Sequence, residues 1–201
     1  MPELPEVETT RRGLAPHVVG RSIRAIDVRE PRLRWPVAPQ LSQQLAAQCI
    51  DSLERRGKYL LFNTAAGTLL VHLGMSGSLR YLPTLAAPGT HDHIDVLFAD
   101  GGALRFTDPR RFGSFHLTPA PFEHPLLKDL GPEPLGAGFD ADYLRQTCRG
   151  RRVTIKQHLM NGHVVVGVGN IYASEALFRA GIRPTRQAGR IGRERFAPLV
   201  T

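Results

Sequence analysis

The chain has 201 residues and 42% hydrophobic content, which suits one domain or two small ones with a real core. No uninterrupted apolar run is long enough to cross a bilayer, and the N-terminus lacks a signal-peptide pattern. Cys49 and Cys148 stand far apart without a Cys-x-x-Cys pair. These features argue against a membrane protein, a disulfide framework and a four-cysteine zinc site within the chain. They lead to the expectation of a cytoplasmic protein with no metal of its own. Lysine and arginine number 26 against 18 acids, a net charge of +8 with a sequence pI near 10.3. That balance suggests a polyanionic partner, most often nucleic acid; the alternative is an arginine-biased composition with no such partner.

In chain order, residues 4–14 read as a helix. Pro5 fits a first turn, Glu6 and Glu8 suit the positive end of the dipole, Leu4, Val7 and Leu14 give an apolar side, and Gly13 lies near the end. Residues 21–30 form an imperfect strand pattern and residues 39–49 a short helix. From residue 50 the texture is β: short apolar or alternating runs broken by glycine, with a hairpin expected around Asp100-Gly101-Gly102. So many short strands close together suggest a sandwich or barrel. Residues 117–140, with five prolines and three glycines, suit a linker. Beyond it, 141–150, 153–162 and 170–182 have helical spacing, with Gly162 and Gly181 as stops and Asn170 as an N-cap, and 192–201 reads as one more helix.

Pro2 and Glu3 precede the first helix and need a separate explanation. Initiator methionine is normally trimmed before a residue such as proline, which would leave a secondary α-amine. With a reference pKa of about 7.7–8, a substantial fraction of that amine is nucleophilic near neutrality. It can attack a sugar C1′ and form a cationic Schiff base, with Glu3 beside it as proton donor. The alternative is a disordered tail, which a helix starting immediately after Glu3 opposes. Lys58, entering a strand, reads by itself as an edge-strand lysine. Met75 lies in a Gly-Met-Ser-Gly turn, and Arg110 and Phe112 lie in DPRRFG. Either turn alone is ordinary, yet an apolar wedge plus an arginine at loop tips is what a duplex-invading, base-flipping protein requires. The segment around Gly167-x-Gly169 and Asn170 is a weak dinucleotide motif and a better phosphate-holding glycine turn. His91 and His93 resemble a metal pair without a third ligand, which leaves a phosphate contact or a structural role.

Taken together, PELPEVET, GKYLL, HLGMSGSLR, HDHID, DPRRFG and VVGVGNIYASEALFRAGI resemble the formamidopyrimidine-DNA glycosylase family, bacterial enzymes that remove 8-oxoguanine and ring-opened purines. The likeness runs nearly end to end, and the PELPEVE opening favours this branch over the related endonuclease VIII. It implies an α+β multidomain fold, with a leading helix and β-sandwich over residues 1–130 and a helical domain with a helix–two-turn–helix element over 131–201. It further implies Pro2 as the nucleophile at C1′, Glu3 as the acid assisting sugar-ring opening, and Lys58 at the reacting nucleotide's phosphate. Met75, Arg110 and Phe112 would be the void-filling trio, with Arg110 facing the orphan cytosine. His91, Arg110, Arg152 and Asn170 fall on DNA-contacting positions, with Lys156 as a further contact.

The implied activity is base excision with strand cleavage at the abasic site. The implied partner is duplex DNA carrying an oxidised purine or abasic site, bound by a monomer. Family members also carry a four-cysteine zinc finger, which has no counterpart in these residues. The chain ends at Leu199-Val200-Thr201, so it reads as C-terminally truncated, without a cofactor. A catalytically impaired DNA-binding remnant is the alternative function. A small-molecule enzyme using an N-terminal proline is a third, which gives the wedge residues no role.

Overall fold

Helix α1 spans Leu4–Val18 and begins directly after Glu3, whose backbone is extended. The structure, a computed structural model, describes residues 2–200. Pro5 sits in the first turn, where its missing N–H is not needed, and Glu6 accepts the Glu3 backbone N–H at 2.8 Å, closing the helix start. The helix does not stop near Gly13 as its sequence suggests, but runs on through Pro16. An interior proline costs a helix about 3 kcal/mol. Burying Leu14 and Val18 in the core at about 1.5–3 kcal/mol each offsets that cost.

The body that follows is two four-stranded antiparallel sheets. One has the order β1 (Ile23–Val28), β6 (Asp92–Phe98), β7 (Ala103–Thr107), β5 (Ser78–Leu82). The other has β2 (Ser52–Arg56), β3 (Tyr59–Thr64), β4 (Gly67–His72), β8 (Ser114–Thr118). Their apolar faces share one core, in which Ile26, Ile94, Val96, Leu104 and Phe106 meet Leu60, Phe62, Leu69, Val71 and Phe115, with Val7, Leu14 and Val18 of α1. This is the sandwich with a leading helix that the strand pattern and the family resemblance imply. The β6–β7 hairpin turns at Gly101 and Gly102, both in the left-handed region at φ +97° and +70°. Helix α2 is only Leu41–Leu45, shorter than the run 39–49, because the chain leaves helical geometry at Ala46 and Ala47 adopts φ +62°.

Charge is largely paired in this body. Glu8 binds Arg11, Arg12 and, from β2, Arg55 at 3.1 Å, which ties α1 to the sheet and holds the Glu8 carboxyl down at about 2. Buried Arg105 spans Asp95 at 2.7 Å and Asp92 at 3.4 Å, and it donates to the carbonyls of Ala86 and Ala87, fixing the loop before β6.

The chain divides into two compact units, one through His124 and one from Pro125. The second is helical: α3 (Ala141–Cys148), α4 (Ile155–Leu159), α5 (Asn170–Arg179) and α6 (Ala197–Val200), around Leu144, Ile155, Leu159, Ala173, Leu177 and Phe196. Asp140 and Thr154 cap α3 and α4 through the N–H groups of Tyr143 and Gln157.

Three sequence expectations are corrected here. Asn170 is the first residue of α5 rather than its cap, which is Gly169 in extended conformation. Gly162 does not stop α4, which ends at Leu159; its carbonyl instead accepts the Gly131 N–H at 2.8 Å, where the two backbones approach too closely for a side chain at 131. The run expected as a helix over 192–201 is not a single helix across its described residues 192–200: a 3-10 turn at Arg193–Arg195 precedes α6, and Thr201 lies outside the described residues. Gly181, at φ +64° just past the end of α5, stops that helix as its position suggests. No helix among the described residues is long and apolar enough to cross a membrane.

Candidate active site

Glu3 is 3% exposed, and Pro2 beside it is half-buried at the head of α1. Lys58 occupies, with Gly57 at φ +56°, the two-residue turn that joins β2 to β3. Because β3 lies between β2 and β4, the edge-strand explanation of this lysine does not apply. Burial pulls the Lys58 ammonium below its ordinary pKa, while the carboxylates of Glu3 and Glu6 act in the opposite direction. The fold therefore gathers Lys58 with Pro2 and Glu3, from which it is 55 or more positions away, around the start of one helix.

His72 joins this region, and the sequence reading missed it. At the end of β4 its Nδ1 accepts the Gly74 N–H at 3.0 Å, and its ring packs on Tyr59 at 4.8 Å. Burial, then the charges of Lys58 and Arg34, push its pKa down to about 4, so it is a neutral imidazole with its Nε2 as the hydrogen-bond donor. Its only signal in the sequence was its place at the head of HLGMSG.

Next to His72 lies a cavity of about 680 Å³ lined by Met75, Arg110 and Phe112 together with Arg32, Arg34 and Arg111. Met75 and Phe112 are 40% and 39% exposed, and Arg110 stacks on the Phe112 ring at 4.7 Å. The structure thus brings the three wedge residues from two separate turns to one opening rich in arginine.

What holds the turns together is Asp108, fully buried. One carboxylate oxygen accepts from the Ser76 hydroxyl at 2.8 Å and the Arg110 N–H at 3.3 Å, and the other accepts the Gly113 N–H at 2.8 Å. Gly74 and Gly113 allow backbone-to-backbone approach: a Cβ on Gly74, already at φ +70°, would come within 2.5 Å of the Gly113 nitrogen. Arg111 holds a left-handed φ of +57°, an unfavourable conformation for a side-chain-bearing residue, and pairs with Glu30 at 3.2 Å. Arg34 donates its N–H to the Gly113 carbonyl at 3.2 Å, which attaches the loop before α2 to the same turn. Nothing in sequence spacing pointed to Asp108 or Arg34, since both act through contacts across the fold.

His91 is exposed at the start of β6, and His93 is buried with its Nε2 2.8 Å from the Asp108 carbonyl, a structural role. No group of three or more His, Cys, Asp or Glu that could hold a metal occurs among the described residues. A four-cysteine zinc site does not fit the residues present, which include two cysteines, Cys49 and Cys148. In the helical unit, Arg152 is exposed before α4, Lys156 is half-buried within it, and Asn170 is exposed at the N-terminus of α5, after Gly167 at φ +81°. Backbone N–H groups at such a terminus favour an anion.

Two family models match the chain: the formamidopyrimidine-DNA glycosylase N-terminal domain over residues 1–115 and the H2TH domain of the same enzymes over 130–201. Among curated relatives, the formamidopyrimidine-DNA glycosylase of Thioalkalivibrio sulfidiphilus is 59% identical, covering all of this chain and 74% of that protein. That of Alkalilimnicola ehrlichii is 57% identical over 99% of this chain and 74% of its own length. The crystal structure of the Lactococcus lactis enzyme bound noncovalently to DNA containing an AP site superposes at a TM-score of 0.90, with 37% identity over 98% of this chain and 77% of that one. The terminal helix, the wedge cavity, both domain models and these relatives agree: the chain belongs to the formamidopyrimidine-DNA glycosylase family.

Proposed function

We propose that this glycosylase excises oxidised purines, 8-oxoguanine and formamidopyrimidines, from duplex DNA and then cleaves the strand through a Schiff base on Pro2. A base-excision glycosylase is what the relatives are, and lyase activity is part of the family. The partner is duplex DNA of the kind held by the Lactococcus lactis enzyme. The setting is the bacterial cytoplasm.

In this reading the Pro2 nitrogen, freed of methionine, bonds to C1′ as the bond from C1′ to the base breaks, and the proton the amine gives up ends on the departing base. Glu3 protonates the ring oxygen as the sugar opens, leaving the iminium. Loss of a proton from C2′ then expels the 3′ phosphate, with Lys58 holding the phosphate of the reacting nucleotide. Met75 and Phe112 fill the space left by the extruded nucleotide, and Arg110 pairs with the orphan cytosine. His91, Arg152, Lys156 and Asn170 contact the backbone. The observation that carries the reading is the convergence of Glu3 and Lys58 at the start of α1, directly after Pro2.

Borohydride trapping on an abasic or 8-oxoguanine duplex tests it. The expected result is a covalent protein–DNA band that disappears in Pro2→Gly. Salt-sensitive DNA binding with no trapped band at any protein concentration would instead identify a binding remnant.

A further inference from the structure

We propose that the segment Arg183–Arg190 is a second phosphate-binding strip, which extends the duplex footprint of the helical unit beyond Arg152 and Lys156. This rests on the reading of duplex DNA as partner.

The first observation is how unevenly charge is distributed. Residues 1–124 carry 13 arginines and one lysine against 12 acids, whereas residues 125–201 carry ten arginines and two lysines against six acids. The arginines of the two units also differ in state. In the sandwich Arg11, Arg12, Arg21, Arg29, Arg32, Arg55, Arg105 and Arg111 form ion pairs, whereas among the described residues Arg24, Arg34, Arg80 and Arg110 do not. In the helical unit Arg145 pairs with Asp142, but among the described residues none of Arg151, Arg152, Arg183, Arg186 and Arg190 forms an ion pair, and all five are exposed.

The second observation is that this segment is held in place. Ile155 and Ala188 donate their N–H groups to the Arg186 and Val153 carbonyls at 2.8 and 2.9 Å, and Gly189 donates to the Arg151 carbonyl at 3.0 Å. An antiparallel bridge joins Thr154 to Gln187, and Ala188 is wholly buried in the unit's core. Residues 186–190 therefore run alongside residues 151–155, the approach to α4 that carries Arg152. Arg186 spends only its Nε on the Arg190 carbonyl, at 3.1 Å, which leaves its two terminal nitrogens for a phosphate.

Unpaired cations fixed side by side repel one another, a cost that a polyanion reverses. The planar guanidinium suits phosphate oxygens, and the spread of the strip along a second chain segment suits successive phosphates of a duplex.

The test is the salt dependence of binding to a labelled undamaged duplex, read by fluorescence anisotropy. Each phosphate contact contributes about 0.9 to the slope of log K against log salt. The combined variant Arg183→Gln, Arg186→Gln, Arg190→Gln is expected to have a slope shallower by up to ~2.7. Between about 50 and 200 mM salt, the unaltered protein then loses about 40-fold more affinity than the variant. Lysine at the same three positions is expected to restore most of the slope. An unchanged slope in a glutamine variant of unaltered circular dichroism overturns the strip.

Phenylglyoxal labelling of the unaltered protein gives a reading independent of any variant. Protection of Arg183, Arg186 and Arg190 by duplex is expected, and equal labelling with and without duplex refutes the proposal. Trapping separates the two readings. A normal slope change without a trapped adduct removes the enzyme and keeps the strip, whereas trapping with an unchanged slope does the reverse.

Discussion

The two units use arginine in opposite ways. In the sandwich, Arg105 is buried against Asp95 and Asp92, Arg55 clamps Glu8, and Arg21 is held by Asp100 while lying over the Phe98 ring at 4.4 Å. These side chains fix loops and the first helix, while among the described residues Arg24, Arg34, Arg80 and Arg110 form no ion pair. In the helical unit the exposed arginines at 151, 152, 183, 186 and 190 bind no carboxylate among the described residues, and helix caps and apolar packing do the structural work. The same residue type is therefore mostly paired in one region and mostly unpaired in the other. A formal charge of +8 does not reveal the division.

The sharpest way to break this comparison is Arg105→Ala. It leaves Asp95 buried without its main partner and frees the Ala86–Ala87 loop, and it is expected to cost about 3–5 kcal/mol of stability. A surface change such as Arg190→Gln is expected to remain within about 0.5 kcal/mol. Denaturant unfolding of the two variants measures the contrast, and comparable losses would erase it.

A smaller effect is expected at Asp108. Asp108→Ala strands the Gly113 N–H and the Ser76 hydroxyl, at about 1–3 kcal/mol for a buried group left unsatisfied. It also loosens both wedge turns, so the preference for cytosine opposite the lesion is expected to weaken. Arg110→Ala, at an exposed position, is expected to reduce that preference by about 1–3 kcal/mol while leaving the unfolding midpoint in place. Opposite-base excision rates together with melting curves separate the two. An Asp108→Ala protein that melts early yet keeps its full preference would show that the carboxylate supports the fold alone.

The last effect is in pH. The folded protein holds His72 down at about 4, against an ordinary 6.5, so the unfolded chain binds the extra proton between those values. The stabilisation is complete above 6.5 and is lost as pH falls toward 4. His158 in the helical unit is shifted in the same direction by burial. Glu8, held at about 2 against 4.5, contributes in the next window down, with full effect above 4.5 and loss as pH falls toward 2. Unfolding free energies across pH 4–7 are expected to flatten in His72→Gln. A profile identical to that of the unaltered protein would show that the imidazole ionises freely in the fold.

Much of the architecture was legible in the residues themselves. Alternation and glycine turns announce β strands wherever one face meets a core, and the Asp100–Gly102 turn and the Gly181 stop follow from backbone sterics at single positions. Local context also singled out Pro2, Glu3, Met75, Arg110 and Phe112, at a helix start or in proline- and glycine-marked turns, whereas Lys58 gained a role only through the family resemblance. Where propensity and packing competed, local signals failed. Gly13 suggested an early end to α1, yet Leu14 and Val18 had a core to enter, and α2 and α4 came out shorter than their periodicity.

Only the tertiary structure decided that Lys58 occupies a turn beside an interior strand near Glu3, and that His72 is a neutral imidazole. The same holds for Asp108, which latches two turns more than thirty residues apart, and for the separation of paired from unpaired arginines. Periodicity and turn chemistry act over a few residues, so a sequence encodes them in place. Ion pairs, burial and shifted protonation depend on which distant segments come within a few ångströms, and that is settled when the chain closes on itself.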